Sequence, residues 1–508
     1  MKLEALTDGD TGICRWQKDV KWDGEVRTVQ ADSRLVEAGD VFVAIKGELN
    51  DGHLFIAQAI QRGASALILE DEAYCRDGEP WILVKDSRAA YGVMAQNRAG
   101  RPSLRMRVIG VTGTNGKTTV THMLAGILEK AGKKTGLIGT IYNRIGERRL
   151  DTALTTPDSA GLAELFGEMA GESVGYVVME VSSHALAQSR TAGIEFDLAI
   201  FTNLSQDHLD YHHTMGEYLG EKAKLFSGLK AEGQKKRGKA AVINMDDDAG
   251  AALIDYCSVP VITYGLGELN HLRAEEISLS GDGIRYRLVY GTETHDIQMK
   301  LHGRFNVYNS LAAIAAALVE GIDIRLIREA LRDMAPAPGR FQQVNLSDGE
   351  LPFRVFVDYS HTPDSLEKCL TTARELCGGR VVCVFGAGGH RDTGKRPLMG
   401  EVAARLSDVA IVTSDNPRDE DPLDIIRDIH KGMGGPSAKA EVWTEPDRAK
   451  AIALAIKHAQ PEDMVLICGK GHERYQIVGQ AKLPFDDAEQ AQSMMRETME
   501  KKKPCPTI

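Results

Sequence analysis

Paired cysteines, long apolar runs and a leading apolar segment are all missing from this sequence. Its eight cysteines stand singly, with no CxxC pair and no metal-ligand spacing, which indicates unpaired thiols in a reducing compartment. The longest strongly apolar stretch, LAAIAAALVEG from Leu311, is far shorter than the roughly 20 residues that a membrane span requires. The opening MKLEALTDGD lacks the apolar core of a secretory signal. We therefore expect a cytoplasmic protein that does not insert into a membrane.

Positively charged side chains are also fewer than negatively charged ones. The formal net charge is −11, whereas nonspecific nucleic-acid binding depends on lysines and arginines that neutralise phosphates. We therefore expect no nucleic-acid partner. An anionic ligand would have to be attracted by local clusters of positive charge, because the overall field opposes it. The 508 residues, 43% hydrophobic and 26% charged, are typical of a globular chain of about two to four domains.

Two changes in texture along the chain predict an α/β protein of three domains. Residues 1–106 alternate short apolar runs such as DVFVAIKG and ASALILED with turn residues, which predicts a small α/β domain. Residues 107–336 contain runs such as VIGVTG and GYVVMEVSS, typical of the buried parallel strands of a P-loop ATPase-like domain. The segment APAPGRFQ then leads into residues 337–508, where four apolar runs predict a doubly wound, Rossmann-like sheet.

A glycine-rich turn joins a predicted strand to a predicted helix in VTGTNGKTT, residues 111–119. The common pattern GxxxxGK[ST] would require glycine at position 111, where this chain has valine. The other parts are present: Gly113 and Gly116 let the backbone approach phosphates, Lys117 supplies charge, and Thr118 offers a hydroxyl to magnesium. We interpret the segment as a nucleotide phosphate loop of a specialised class, the alternative being a glycine turn with a surface lysine.

TGTNGKTT resembles the signature of the Mur ligases and of their relative folylpolyglutamate synthase, which form amide bonds by activating a carboxylate with ATP. The resemblance extends from the first predicted domain to the last. It implies ATP as the nucleotide and two magnesium ions as cofactors. The loop residues that it assigns to ATP are Gly113, Thr114, Asn115, Gly116, Lys117, Thr118 and Thr119.

The resemblance also implies a metal site with four contributors. Glu180, in MEVSSHALAQSR, would bind magnesium beside Thr118, since hard cations favour oxygen ligands; a solvated strand-end glutamate is the alternative. His208, in TNLSQDHLDYH, corresponds to the metal-associated histidine of the family, and the spacing of this segment does not fit zinc. Lys222, in EYLGEKAKLFS, corresponds to the lysine that the family carbamylates, although alone it reads as a solvated helix position. Carbamylation requires an unprotonated amine and hence a lowered pKa, for example through nearby positive charge.

Further nucleotide contacts are implied in two other segments. LHGRFNVYNSLAA resembles the motif on the adenine side, with Asn306 and Asn309 as candidates because an amide both donates and accepts; helix capping is the alternative. Arg340 in PGRF and Asp358 in VDYSHTPDSL would approach the nucleotide from the third domain, which would have to close over the second. The implied catalytic residues are Lys117, Lys222, His208 and Arg340.

The resemblance implies that the first domain binds the uridine nucleotide. Ser33, in ADSR, matches the serine-containing loop of the family, although a turn-forming role fits it nearly as well. Arg190 could pair with a carboxylate or diphosphate through a forked geometry that lysine cannot copy. The implied residues for the UDP-sugar-peptide are Ser33, Thr155, Thr156, Ser182, Gln188 and Arg190.

The third domain is expected to select the incoming amino acid. SDNPRDEDP contains DNPR, which in this family marks meso-diaminopimelate rather than L-lysine. Diaminopimelate ends in an extra carboxylate, with which Arg418 can pair bidentately while Asn416 adds hydrogen bonds. In GKGHERYQ, Glu473 would hold the distal ammonium. A proline turn is the alternative for DNPR. The implied residues are Arg391, Asp415, Asn416, Pro417, Arg418, Gly469 and Glu473.

One segment departs from the family pattern. Where the family usually has GCGGDRD, this chain has GAGGHRD, with Ala387 and His390 at the two changed positions. The loss of a carboxylate beside Arg391 changes the local charge and could move the arginine. Because Arg391 and the following KRP triplet remain, we still expect Arg391 to bind the other end of the amino acid.

The implied reaction is the ATP-dependent addition of meso-diaminopimelate to the D-glutamate of UDP-N-acetylmuramoyl-L-alanyl-D-glutamate through an acyl phosphate. This is a step of peptidoglycan precursor synthesis, and we expect a monomeric enzyme. An L-lysine-adding relative would share every feature except DNPR. Folylpolyglutamate synthase shares the loop, and a nucleotide-switched binding protein or motor is the alternative from a different class.

Overall fold

The computed structural model describes residues 1–17, 24–47, 50–235, 238–347 and 349–502. Three sheets built from parallel strands follow one another along the chain, and helices cover them, so the predicted α/β class is confirmed. The boundaries at residues 106 and 336 stay predictions. Among the described residues, no helix combines the length and apolarity that a membrane crossing demands.

The first sheet lies in the N-terminal part of the chain. Its elements are α1 (Leu3–Leu6), β1 (Ile13–Trp16), β2 (Val29–Gln30), β3 (Val41–Val43), α2 (Ile56–Gln61), β4 (Ala66–Leu69), β5 (Trp81–Val84) and α3 (Ser87–Arg98). The strand order is β1-β5-β4-β3-β2, with only β1 antiparallel to its neighbour among these strands. The apolar runs of the sequence correspond to β3, β4 and β5.

The second sheet has eleven described strands. Its elements are β6 (Arg107–Thr112), α4 (Lys117–Lys130), β7 (Thr135–Ile138), β8 (Asn143–Ile145), β9 (Arg148–Leu150), α5 (Ser159–Gly171), β10 (Tyr176–Glu180), α6 (Ser183–Ala187), β11 (Leu198–Phe201), α7 (Leu209–His212), α8 (Met215–Ser227), β12 (Ala240–Asn244), α9 (Asp248–Ile254), β13 (Val261–Gly265), β14 (Leu272–Ser280), β15 (Gly283–Tyr290), β16 (Glu293–Met299), α10 (Phe305–Val319) and α11 (Ile324–Asp333). Parallel strands in the order β7-β10-β6-β11-β12-β13 form its centre. An antiparallel meander, β14-β15-β16, extends one edge. The sequence reading did not single out this meander, whose outer residues are exposed and polar.

The third sheet and a hairpin form the C-terminal part. Their elements are β17 (Gln342–Gln343), β18 (Arg354–Asp358), α12 (Pro363–Leu376), β19 (Val381–Phe385), α13 (Lys395–Leu406), β20 (Val409–Val412), α14 (Pro422–His430), β21 (Glu441–Thr444), α15 (Arg448–His458), β22 (Met464–Cys468), β23 (Tyr475–Val478), β24 (Ala481–Pro484) and α16 (Asp487–Lys502). The order is β17-β18-β22-β19-β20-β21, and all pairs except β17 with β18 are parallel. The four predicted strands are β18, β19, β20 and β22.

Burial on both faces explains why the central strands are apolar throughout. All six residues of β6 are buried, and Ile109 packs with α4 and α10 on one face while Val108 packs with α5 and α8 on the other. The apolar face of α4 is fully buried as well; its members are Val120, Met123, Leu124, Ile127 and Leu128. Such continuous burial is typical of parallel sheets covered by helices.

The register of the second sheet brings three strand ends together. Glu180 at the end of β10 lies opposite Val111 of β6, and Phe201 at the end of β11 lies opposite Thr112. The loops that follow β6, β10 and β11 therefore leave the sheet side by side. Ligands of open α/β sheets bind at such an edge.

Candidate active site

The phosphate loop requires its two glycines for close packing. Both Gly113 and Gly116 have a positive φ, at 145° and 88°. A Cβ on Gly113 would collide with the Thr202 hydroxyl, and one on Gly116 would collide with the Asn309 side chain. Because α4 begins directly after the second glycine, its unpaired N–H groups face the loop, as an anion site requires.

Lys117 lies folded over this loop. Its Nζ donates hydrogen bonds to the carbonyl oxygens of Gly113 and Thr114 at 2.8 and 2.9 Å. Burial lowers its pKa, and the negative charges of Glu180 and Asp207 act in the opposite direction. An ammonium group has three donors, and two are used here, so one remains for a phosphate oxygen.

Glu180 is a buried carboxylate beside the loop. It is 1% exposed and accepts hydrogen bonds from the Thr118 hydroxyl at 3.0 Å, the Thr140 amide at 2.9 Å and the Thr140 hydroxyl at 3.0 Å. Within the described chain it forms no ion pair with a lysine or arginine. A buried carboxylate usually requires a cation, so Glu180 and the Thr118 hydroxyl fit a hard divalent metal ion such as magnesium.

His208 lies next to a small group of aromatic side chains. It has a φ of 55° just before α7, and its ring packs edge-on against His184 with centroids 4.7 Å apart. Burial lowers the pKa of His208 to about 3, although Asp207 opposes the shift. The imidazole is therefore neutral at neutral pH, as a metal ligand must be. No set of three His, Cys, Asp or Glu side chains in the described ranges has a metal-binding arrangement.

Lys222 is buried without a polar partner. It is 1% exposed, and its Nζ lies 4.2 Å from the centre of the Tyr218 ring. Among the described residues it makes no hydrogen bond or ion pair. Burial, followed by the positive charge of Lys117, holds its pKa well below the usual 10.5. This direction of the pKa shift favours the unprotonated amine, the form that carbamylation requires.

Residues of the third domain contact the phosphate loop directly. The Arg340 guanidinium donates to the Thr118 hydroxyl at 2.9 Å and lies 4.6 Å above the Tyr359 ring. The Asn115 amide donates to Asp364 at 2.7 Å. The Nε of Arg340 is buried and has no hydrogen-bond partner. The second and third sheets are thus closed on each other, with an arginine donor left over at the loop.

The other predicted nucleotide residues have local partners. The Asn306 side chain donates to the His302 carbonyl at 2.8 Å, and Asn309 donates to Asn306 at 2.9 Å. Asp358 accepts from the Phe341 amide at 2.6 Å and the Ser360 amide at 2.8 Å. Asp358 therefore holds the turn that carries Arg340, whereas Asn309 supports the loop at Gly116.

Most residues predicted for the sugar-peptide form one network that starts at Glu180. The Thr156 hydroxyl donates to the Glu180 carbonyl at 2.9 Å and accepts from the Ser182 amide at 3.1 Å. Arg190 donates to the Thr156 carbonyl at 2.8 Å and to Gln188 at 2.7 Å.

Two further sugar-peptide predictions lie at the ends of this region. The Thr155 hydroxyl accepts from the Thr140 hydroxyl at 3.0 Å, which places it next to Glu180. Ser33 lies apart in the first sheet region and donates to Gln58 at 2.7 Å. It has no described contact with the other predicted residues.

In the third domain the structure brings the DNPR and GKGHE segments together. The Asn416 side chain donates to Glu473 at 2.9 Å and accepts from the Ile477 amide at 2.9 Å. Gly469 has a φ of 120°, and a Cβ at this position would collide with the Asp415 carboxylate. The hairpin β23-β24 thus positions a side chain that the sequence assigned to the amino acid.

Arg418 and Arg391 contribute positive charge to the same site. Arg418, at a φ of 53°, donates to the Gly389 carbonyl at 2.8 Å and the Asn416 carbonyl at 3.4 Å, and it has no carboxylate partner among the described residues. Burial and then the nearby charge of Arg391 lower its pKa. Arg391 is exposed and unpaired within the described ranges. At the departure from the family pattern, the His390 amide donates to Glu420.

Sequence reasoning missed a buried arginine beneath this site. Arg448 and Asp487 are both 0% exposed and form a bidentate ion pair with bonds of 2.7 Å. Arg448 also donates to the carbonyl oxygens of Ser414 and Cys468 at 3.2 and 2.9 Å. It therefore ties together the two strand ends from which the recognition segments leave. No local sequence signal marks it, because its partners lie far apart along the chain.

Sequence comparisons agree with this arrangement. Family models match residues 25–99 (Mur ligase family, catalytic domain), 111–317 (Mur ligase middle domain) and 339–471 (Mur ligase, glutamate ligase domain). The chain is 46% identical to UDP-N-acetylmuramoyl-L-alanyl-D-glutamate–2,6-diaminopimelate ligase of Geobacillus kaustophilus strain HTA426, over 93% of this chain and 95% of that protein. It is 45% identical to the enzyme of the same name from Syntrophomonas wolfei, over 94% and 96%.

A solved structure agrees as well. The structure of a UDP-N-acetylmuramoyl-L-alanyl-D-glutamate–2,6-diaminopimelate ligase matches with a TM-score of 0.68 and 31% identity, covering 95% of this chain and 97% of that chain. Three matched domains, near-complete coverage of the relatives and a shared three-domain architecture lead to one conclusion: the chain belongs to the Mur ligase family.

Proposed function

We propose that this ATP-dependent ligase joins meso-diaminopimelate to the D-glutamate of UDP-N-acetylmuramoyl-L-alanyl-D-glutamate, with ADP and phosphate as the other products. The relatives of 45–46% identity carry the name of this activity, which supports the proposal. We further propose a cytoplasmic, monomeric enzyme of peptidoglycan precursor synthesis. The seven described cysteines are all free thiols, in keeping with a reducing compartment.

Two side chains of opposite charge in the third domain, Arg418 and Glu473, support the choice of amino acid because each has hydrogen-bonding capacity that no described residue satisfies. Arg418 has no carboxylate partner, and the Oε1 atom of Glu473 accepts no hydrogen bond from the described residues. The distal end of meso-diaminopimelate carries one carboxylate and one ammonium group, which would satisfy both. L-Lysine would leave the partly buried Arg418 without a carboxylate partner, at a cost in binding free energy.

The phosphate end of the reaction relies on Lys117, Thr118 and Arg340. The remaining donor of Lys117 and the free Nε of Arg340 would bind the γ-phosphate between the second and third domains. Magnesium, held by Thr118 and Glu180 and by His208 with carbamylated Lys222, would supply further neutralisation of phosphate charge. Phosphoryl transfer depends mainly on such positioning and charge stabilisation.

The reaction then proceeds in two steps. The γ-carboxylate of the D-glutamate attacks the γ-phosphorus of ATP, the bond to the ADP oxygen breaks, and an acyl phosphate forms. The amine of diaminopimelate attacks the acyl carbon, loses a proton, and phosphate leaves as the amide forms. The contacts of Arg340 and Asp364 with the loop keep the domains closed, which would exclude water from the acyl phosphate.

The test is ADP release with ATP, magnesium and UDP-N-acetylmuramoyl-L-alanyl-D-glutamate in the presence of meso-diaminopimelate, of L-lysine or of neither. We expect rapid release only with meso-diaminopimelate, with the amide product identified by mass spectrometry. A preference for L-lysine would overturn the acceptor. Turnover without any acceptor would favour a nucleotide-switched protein, and folate-stimulated glutamate incorporation would favour folylpolyglutamate synthase.

A further inference from the structure

The residues predicted to bind the amino-acid substrate, among them Asp415, Asn416, Arg418 and Glu473, are together called the acceptor site. Lys470 is a fully buried lysine in this site that the sequence analysis did not assign. It is 0% exposed, and its Nζ lies 3.1 Å from the Asn416 Oδ1, 3.1 Å from the Glu473 Oε2 and 3.9 Å from the Asp415 Oδ1. Three oxygen atoms from two separate segments thus surround one ammonium group. The contacts with Asn416 and Glu473 are hydrogen bonds, whereas Asp415 lies within ion-pair distance only.

The charges around Lys470 raise the question of why Arg418 is unpaired. Asp415 and Glu473 are both close enough to Arg418 to act on its pKa. Opposite charges in a poorly solvated site attract each other strongly. Among the described residues, Arg418 nevertheless donates only to two main-chain carbonyl oxygens. Both carboxylates instead face Lys470, which lies on the same segment as Glu473 and reaches Asp415 on the other segment.

The orientation of Glu473 depends on the same contact. Its Oε2 accepts from both Lys470 and Asn416, and its Oε1 accepts from none of the described residues. The two donors on one oxygen hold the carboxylate so that the other oxygen is free. A ligand ammonium could bind there without displacing Lys470.

We propose that Lys470 is a positioning residue: as an internal counter-ion for Asp415 and Glu473, it keeps Arg418 free for the distal carboxylate of the amino-acid substrate. The inference rests on the proposed function, since it assumes a zwitterionic acceptor. Without Lys470 the site would hold two carboxylates and the Arg418 guanidinium. Arg418 would then pair with one of them, and the groups that recognise the substrate would neutralise each other.

The test compares the full-length Lys470→Met enzyme with the double variant Lys470→Met/Asp415→Asn. Removing the ammonium should raise KM for meso-diaminopimelate at least about tenfold, with KM for ATP and for the muramoyl dipeptide within about twofold of wild type. Removing one carboxylate as well restores the charge balance, so the double variant should recover part of the lost affinity. Lys450→Met, an exposed lysine of the same domain, serves as the control and should behave like wild type.

The outcomes separate this inference from the proposed function. If wild type shows no turnover with meso-diaminopimelate, the proposed function fails. If wild type turns over but Lys470→Met keeps a normal KM, or the double variant binds no better than the single one, the counter-ion role is overturned. Should Lys470→Met fail to fold, Lys470→Gln takes its place, and a normal KM in that enzyme counts against the inference equally.

Discussion

The phosphate site and the acceptor site each bury a lysine, but only one of the two lysines has polar partners. Lys222 beside the phosphate loop contacts the Tyr218 ring and makes no described hydrogen bond. Lys470 in the acceptor site is surrounded by three side-chain oxygen atoms. A buried ammonium without a partner is driven towards its neutral form, whereas a paired one is stabilised as a cation.

This difference indicates how the two sites achieve charge balance. Among the described residues, the phosphate site leaves Lys222 and Glu180 without an ion-pair partner, so in the proposed reaction its charge balance would depend on carbon dioxide, magnesium and ATP. The acceptor site balances its carboxylates internally through Lys470 and leaves Arg418 for the substrate. In the proposed reaction, the phosphate site therefore takes part in the chemical steps, whereas the acceptor site recognises the amino acid.

The largest expected effect tests the phosphate site. Lys117→Ala should lower kcat by at least about a thousandfold, because a positioned cation at the developing phosphate charge is lost. Steady-state ADP release measures the change, and thermal unfolding checks that the fold is intact. Lys130→Ala, at the exposed end of the same helix, is the control. A Lys117→Ala enzyme with near-normal kcat would remove the phosphate-loop assignment.

The next effect tests recognition in the acceptor site. Arg418→Ala should raise KM for meso-diaminopimelate with little change in KM for ATP, by an amount equivalent to about 2–4 kcal/mol, because a desolvated charge pair is lost. Arg427→Ala, an exposed arginine on α14, is the matched control. An unchanged KM for diaminopimelate would show that the distal carboxylate does not bind Arg418.

The two buried lysines should respond oppositely to the same substitution. Lys222→Met should raise the free energy of unfolding by about 1–3 kcal/mol, since a buried polar group without a partner is removed. Lys470→Met should lower it by about 3 kcal/mol, because the buried Asp415 and the partly buried Glu473 lose the cation that they face. Urea unfolding at constant pH measures both, with Lys224→Met as the exposed control on α8. Changes of the same sign would refute the contrast between the sites.

The smallest effect concerns His472, whose ring contacts that of Tyr359 in a tilted arrangement with centroids 4.9 Å apart. Burial and the charge of Arg340 lower the pKa of His472 to about 3, from a usual 6.5. The stability that this neutral ring contributes is present above pH 6.5 and is lost as the pH falls towards 3. The free energy of unfolding should therefore fall between pH 7 and pH 5, and this fall should be about 1–2 kcal/mol smaller in His472→Asn than in the wild type.

Urea unfolding at the two pH values measures this difference. His458→Asn, on the exposed part of α15, provides the control for removal of an imidazole. If His472→Asn leaves the pH dependence of the unfolding free energy unchanged, the His472 ring does not govern the acid sensitivity of this region.

The sequence alone determined the features that depend on neighbouring residues. Apolar runs predicted the parallel strands, and the order of strand, glycine turn, Lys117 and helix predicted the phosphate loop. The resemblance to the family, through the DNPR and GKGHE segments, implied Arg418 and Glu473 as candidates for the amino acid. These signals are local, because strand burial, turn geometry and helix ends each depend on a few consecutive residues.

Only the tertiary structure decided which of the charged residues are paired. The sequence shows Lys222 as a solvated helix position, but packing buries it against an aromatic ring. It does not mark the contact of Lys470 with the distant Asn416, nor Arg448, whose partners come from strand ends and a helix far away along the chain. The physical reason is that desolvation and pairing depend on atoms brought together by the folded sheets, and chain neighbours carry no record of those distances.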